Sequence, residues 1–247
     1  MCAVVRSTVK PIRCDAASAR WRPERQRARY AGAVTARSDP LDPLVRHADE
    51  SLVVVDKPAG LLAVPGRGVD KADCALARIR QRYADALVVH RLDQASSGLL
   101  VFARGVAAQR TLGIAFAERR VDKCYEAIVG GMPTGDSGRI ELPIAADWPN
   151  RPRQRVDTER GRPSLTLWWV LERDHTTQRT RLRLQPVTGR SHQLRVHLAA
   201  IGHAIVGDTL YGAGGAIAPR MLLHASQLEF DHPLDGSPQR FVSTPPF

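Results

Sequence analysis

Long apolar runs are missing from this sequence, and so are paired cysteines. Its apolar stretches, such as Gly98–Ala103 (GLLVFA), fall far short of a membrane-spanning helix. The four cysteines, Cys2, Cys14, Cys74 and Cys124, are widely separated and form no C-x-x-C pair. That argues against a zinc knuckle or a disulfide scaffold and suits a reducing, cytoplasmic compartment. No G-x-x-x-x-G-K-[ST] phosphate loop, H-E-x-x-H zinc helix or G-x-S-x-G nucleophile turn occurs. His192, His197 and His203 stand five and six apart, which is not metal-ligand spacing. No metal or nucleotide cofactor is therefore expected. Aromatic residues are scarce, at 5% of the chain, and acidic residues are outnumbered.

What the chain does hold is positive charge. Its 36 lysines and arginines against 25 aspartates and glutamates leave +11. That excess predicts an anionic partner, nucleic acid first and an acidic membrane surface second. The 247 residues, 43% hydrophobic and 25% charged, suit a soluble globular protein with a sizeable core. Within residues 1–38, Lys10 and eight arginines face only Asp15 and Glu24. Residues 1–40 therefore read as a basic, disordered arm, and 41–247 as one folded domain. No apolar segment follows the arm as a secretory signal requires, although its Arg-rich, acid-poor composition resembles an organelle transit peptide.

Hydrophobic patterning predicts the elements of that domain. Ser51–Asp56 is a β-branched strand stopped by Lys57-Pro58-Ala59-Gly60, and Leu61–Val64 a short strand after it. Ala72–Tyr83 and Val106–Glu118 carry apolar residues at helical spacing. Leu87–Val89 and Gly98–Ala103 are apolar strands, and Val121–Val129 alternates so that Lys123, Tyr125 and Ala127 share a face. Arg139–Ala145, Leu165–Leu171, Thr180–Val187 and Leu222–Phe230 are further strands, with Arg179, Arg181 and Arg183 along one solvated face. Ser191 is placed to cap a helix ending at Gly202, with Leu194, Leu198 and Ile201 inward. Many strands, few helices and no regular βα alternation predict an α+β domain with a mainly antiparallel sheet flanked by helices.

Four clusters could carry chemistry. His90-Arg91-Leu92-Asp93 interrupts two apolar strands, so a carboxylate and a guanidinium sit on a loop held by rigid scaffold. The same residues read equally well as a turn in which Asp93 caps local amides. In Thr188–Arg195 (TGRSHQLR) a strand ends, a glycine turns, and Arg190 and Arg195 flank a helix start. That is a phosphate-friendly surface or a solvated helix start. Lys123-x-Tyr125 offers a tyrosine to stack on a base, or an ordinary rim tyrosine. Asp147–Arg155 is a proline-stiffened loop in which Arg151, Arg153 and Arg155 interleave with Trp148, suited to single-stranded or looped RNA or simply exposed.

Together these clusters resemble the RluA-type pseudouridine synthases. HRLDQASSG at 90–98 is similar to that family's HRLDxxTSG signature, with Ser96 in place of Thr. VVDKPAGLLAVPG at 54–66, KCY at 123–125 and TGRSHQLRVHLAAIGHAIVGDTLYG at 188–212 resemble its other motifs, in order. The likeness covers roughly Leu44 to Phe247. It implies the pseudouridine synthase fold with a basic catalytic cleft, and no S4-type RNA-binding module.

The resemblance also implies an activity: an isomerase that breaks the N1–C1′ bond of a uridine, turns the uracil and joins C5 to C1′, without cofactor. Asp93 matches the catalytic aspartate, and Arg190 is matched to the guanidinium beside it. Arg91 resembles the arginine that fills the space of the flipped base. Tyr125 matches the tyrosine that packs on that base and assists at C5. Leu194 stands at an apolar wall, while Lys123 and Arg195 fall to structural or phosphate-contacting positions. His90 and His192 are expected to be neutral bystanders in an arginine-crowded site. The stretch 142–156 (LPIAADWPNRPRQRV) is similar to dual-specificity members, which implies a tRNA anticodon-loop uridine (position 32) and a 23S rRNA hairpin uridine (position 746) as targets. An rRNA-only relative, a non-catalytic RNA-binding protein and a glycosidase with a second carboxylate are the alternatives. A monomer acting on tRNA, 23S rRNA or both, with no membrane contact, is expected.

Overall fold

The computed structural model describes residues 44–68, 71–212 and 218–247. The predicted arm at 1–40 lies outside these residues. The organising element is a ten-stranded mixed sheet. Its strands in chain order are β1 (Val45–Ala48), β2 (Leu52–Lys57), β3 (Ala86–Val88), β4 (Ser97–Arg104), β5 (Asp122–Gly130), β6 (Ser137–Ile140), β9 (Thr166–Asp174), β10 (Arg179–Pro186), β11 (Leu223–Asp231) and β12 (Pro238–Val242). Across the sheet they run β1-β2-β4-β11-β5-β10-β9-β6, with β3 beside β4 and β12 beside β11. A separate hairpin arm, β7 (Ile144–Ala146) with β8 (Gln154–Val156), forms a second, two-stranded sheet. The helices are α1 (Ala75–Arg80), α2 (Gly105–Ala117) and α3 (Gln193–Ala200).

The apolar strands explain the layering. β2 and β4 bury both faces, so they read as continuous Val/Leu runs rather than as an alternation. Val53, Val55, Leu100 and Phe102 pack on Ala75, Leu76 and Ile79 of α1. Leu52, Val54, Leu99 and Val101 pack on Ala108, Leu112 and Ala115 of α2. In the other half, Ala127, Val129, Leu182 and Leu184 receive Leu194 and Leu198 of α3.

The halves join where β4 lies parallel to β11, through Ser97↔His224 and Gly98↔Ala225. Gly98 has φ +108°, and a Cβ there would meet the Ala225 carbonyl oxygen at 2.4 Å. Ala225 in turn pairs with Tyr125 on β5. The loop before Gly98 and the Tyr125 strand are therefore two strand spacings apart, about 9–10 Å.

Several expectations change. The helix expected over 72–83 is confined to Ala75–Arg80, with the Cys74 sulfur accepting from the Ala77 amide. Leu61–Val64 forms a single bridge, Leu62 to Cys74, instead of a strand. The strand expected over Arg139–Ala145 splits into β6 and β7 around Pro143, which lacks the ladder N–H. Ser191 does not cap α3; His192 takes that place at φ 54°, with no side-chain cap. Ile201 falls after α3 and is 37% exposed. Arg181 is only partly exposed: it pairs with Glu126, and its Nη1 donates to the Phe247 carbonyl.

Candidate active site

The loop from Val89 to Ser96 carries Asp93, and its shape is set from below by Lys57. Lys57 ends β2 with 0% exposure. Its ammonium donates to the carbonyls of Pro58 (2.9 Å), Leu61 (2.8 Å), Gln94 (3.2 Å) and Ser96 (2.6 Å). A buried cation surrounded by carbonyl dipoles fixes two loops against each other. Burial pulls its pKa down to about 8, with Asp93 acting in the opposite sense. The Gly60 amide donates to the Gln94 carbonyl, and the Gln94 side chain donates back to the Gly60 carbonyl. Sequence reasoning took Lys57 only as a strand stop; the available signal was a lysine two residues after the apolar run Leu52–Val55.

The guanidinium beside Asp93 belongs to Arg195, not Arg190. Arg195 Nη1 donates to Asp93 Oδ2 at 3.1 Å, while its Nε and Nη2 donate to the two oxygens of Asp208 at 2.8 Å each. The Arg195 side chain is 4% exposed and that of Asp208 0%. Arg195 is thus a buried bridge and is not free for a phosphate. Burial works against Asp208 ionising, yet the Arg195 bonds and the Leu210 and Tyr211 amides outweigh it and hold its pKa below the usual carboxylate value. Arg190 turns away: Nε and Nη2 reach the Pro163 carbonyl at 3.4 and 3.3 Å. The reason is local. Residues 188–192 form the turn before α3, whereas Arg195 lies within the helix, on a side packed towards Asp208.

A second line of contacts reaches Asp93 from the arm. The Gln154 amide donates to Tyr211 Oη at 2.7 Å. Tyr211 Oη and His192 Nδ1 are 2.7 Å apart, and His192 Nε2 lies 3.8 Å from Asp93 Oδ1. With its oxygen accepting from Gln154, the tyrosine proton is placed to go to Nδ1, which leaves the Nε2 hydrogen facing Asp93. Burial lowers the His192 pKa, Asp93 opposing. His192 also sits at positive φ, a strained position for a residue with a side chain. Tyr211 was not singled out from the sequence.

Tyr125 is half-buried and packs in the cluster that holds Leu194 and Ala95 of the Asp93 loop. Burial, and then the charge of Asp93, push its phenol pKa upward, so the hydroxyl keeps its proton. Asp93, Tyr125 and Leu194 are therefore brought together. Lys123 turns elsewhere: its ammonium lies 5.8 Å from the Phe116 ring centroid, towards Gly189. His90 stacks on Phe116 at 4.4 Å, and its Nε2 accepts from the Val101 amide. Burial, aided by Lys123, takes its pKa down to about 3. Its neutrality comes from burial and a lysine rather than from crowded arginines.

The remaining residues lie at the rim. Arg91 is exposed. Arg151 stacks over the Trp148 ring at 3.5 Å, Arg153 lies over Tyr211 at 5.5 Å, and Arg155 pairs with Asp157 at 3.0 Å. A partly exposed carboxylate joined through one buried guanidinium to a buried one, a protonated phenol and an apolar wall suit charge development at a sugar carbon and a stacked base.

Comparison with known proteins agrees with this chemistry. The chain is 43% identical over 219 residues to the dual-specificity RNA pseudouridine synthase RluA of Pasteurella multocida, covering 87% of this chain and all of that one. It is 45% identical over 208 residues to the protein of the same name from Escherichia coli K12, covering 83% and 94% of the two chains. Among solved structures, human RNA Pseudouridylate Synthase Domain Containing 1 is similar at TM-score 0.67 and 30% identity, covering 81% of this chain and 82% of that one. The sequence profile described as RNA pseudouridylate synthase matches residues 51–200. With two-fifths or more of its residues shared across nearly the whole length of such relatives, the chain belongs to the RNA pseudouridine synthase family.

Proposed function

We propose that this chain isomerises uridine to pseudouridine in both a tRNA anticodon loop and a 23S rRNA hairpin, with Asp93 as the group that acts on the sugar. The target base leaves its stack, and Arg91, exposed at the loop tip, fills the gap. Asp93 attacks C1′ or takes a sugar proton, and the N1–C1′ bond breaks. The uracil turns between Tyr125 and Leu194, and C5 bonds to C1′. The C5 hydrogen leaves as a proton and N1 gains one, so atoms balance without a cofactor. Arg195 holds the Asp93 carboxylate in place and aims it. Arg151, Arg153 and Arg155 contact the RNA backbone from the arm.

The observation that carries this reading is the 3.1 Å Asp93–Arg195 contact beside the protonated Tyr125. The dual target rests on likeness to the named relatives and on the 142–156 stretch. Purified protein would be given unmodified tRNA or a 23S fragment labelled with tritium at uracil C5. Release from both, lost in Asp93→Asn with RNA affinity retained, is the expected result. Release from the 23S fragment alone would make the chain an rRNA-only synthase. Tight binding without release would make it an RNA-binding protein.

A further inference from the structure

Arg190, turned away from Asp93, lines a different space. A cavity of about 560 Å³ lies between the β7–β8 arm, the 157–162 turn and the Gly189–Ser191 turn. Its volume is that of a small-molecule site (about 300–1,000 Å³). Arg155, Arg160, Arg162 and Arg190 all reach it, with Trp148 at the edge. Asp157, the carboxylate among the lining residues, is already engaged: one oxygen takes Arg155 and the other takes the Glu159 and Arg160 amides. Arg160 and Arg162 have no ion-pair partner among the described residues, and Arg190 holds only a carbonyl at long range. Burial, then Arg162 and Arg119, disfavour the charge on Arg190, so like charges face each other across the cavity. Trp148 is 66% exposed. Such an arrangement is satisfied by an anion carrying an aromatic ring.

We propose that this cavity is a second nucleotide subsite, in which Arg160, Arg162 and Arg190 hold a phosphodiester flanking the target uridine and Trp148 stacks on the adjoining base. The inference rests on the RNA reading above and adds a place where the strand is gripped outside the catalytic centre. Ser191 precedes His192, which faces Asp93 at 3.8 Å, so the two sites share a wall. Three residues from Gly189 to His192 span at most roughly 10 Å. The gripped phosphate therefore lies close along the strand to the flipped nucleotide.

The test uses a synthetic hairpin substrate in which single phosphates around the target are replaced by uncharged methylphosphonates. Wild-type protein should lose about tenfold in affinity at one or two positions. Arg160→Ala/Arg162→Ala should bind the unmodified hairpin about tenfold more weakly and be indifferent to those same replacements. Its saturated single-turnover rate should stay within about twofold of wild type. Loss of the grip on that one phosphate should also flatten the salt slope by at most about 0.7 (about 0.7 per neutralised phosphate on single strands). Both side chains are solvent-exposed, so the fold is expected to survive. Replacements that weaken both proteins equally, or a variant that loses rate instead of affinity, would overturn the subsite. Absence of tritium release by the wild-type protein would instead overturn the synthase reading.

Discussion

Asp208→Asn is the sharpest probe of the buried bridge. The Asp208 carboxylate accepts two bonds from Arg195 and two from the Leu210 and Tyr211 amides, with its side chain wholly buried. Asparagine preserves the shape and can keep the amide bonds. Its NH2 group would then face an Arg195 N–H at a distance set for an acceptor, donor against donor. The guanidinium would keep its Nη2 bond to the amide oxygen, with Asp93 as its remaining carboxylate. Removing one partner of a buried ion pair costs roughly 3–5 kcal/mol. Asp93 is 24% exposed and remains a counterion, which places the loss near the lower end, about 3 kcal/mol. For a domain of this size each kcal/mol lowers the melting temperature by about 2–4 °C, so a drop of roughly 6–12 °C is expected. The misdirected guanidinium should also lower single-turnover tritium release at least about tenfold with RNA affinity unchanged.

The pH dependence has a definite sign. The folded Asp208 pKa lies below the unfolded value of about 3.9. The stability it contributes is therefore complete above about pH 4 and is lost as pH falls through the folded value. The melting gap between wild type and variant should be full at pH 6 and close in acid. A variant that melts within a degree or so of wild type at pH 6, with an unchanged rate, would refute the bridge as an energetic element.

Three further outcomes follow from the same geometry. Tyr211→Phe keeps the ring and deletes the hydroxyl that joins Gln154 to His192, so the saturated rate should fall several-fold with KM little changed; a KM effect alone would count against the link. Neutralisation of Lys57 near pH 8 should weaken its grip on the Gln94 and Ser96 carbonyls, giving wild type an alkaline fall in rate that is absent from a slower Lys57→Met. Because its folded pKa is depressed, the unfolded chain binds the extra proton between about pH 8 and 10.4, and wild-type stability relative to that variant should rise across this window. Arg91→Ala should slow appearance of the flipped state, read by a fluorescent base at the target, more than it weakens initial binding.

Residues whose role follows from local patterning were legible in the sequence. β2 and β4 showed as continuous apolar runs because both faces are buried, and β10 as an alternation because Leu182 and Leu184 face the core. The motifs singled out Asp93, Tyr125 and Leu194, which the fold brings together. Roles set by long-range contact were not. Arg190 and Arg195 share one short motif, and only the buried Asp208 thirteen residues on selects Arg195. Lys57 and Tyr211 act through partners up to 57 residues away, which no local periodicity records. Ser191 is a good cap by type, but the turn instead places His192 at positive φ.

The joint at Gly98 sets a dimension. Where β4 touches β11, backbone meets backbone with no room for a methyl group, and the next strand over carries Tyr125. The width between the Asp93 loop and that tyrosine is therefore fixed by main-chain atoms, and side-chain packing has no means to adjust it. Any residue other than glycine at position 98 would act as a spacer, moving the Asp93 loop and Tyr125 apart while leaving both intact. The gap between them is in this sense gauged by a missing atom, and enlarging it for a bulkier base would have to begin elsewhere.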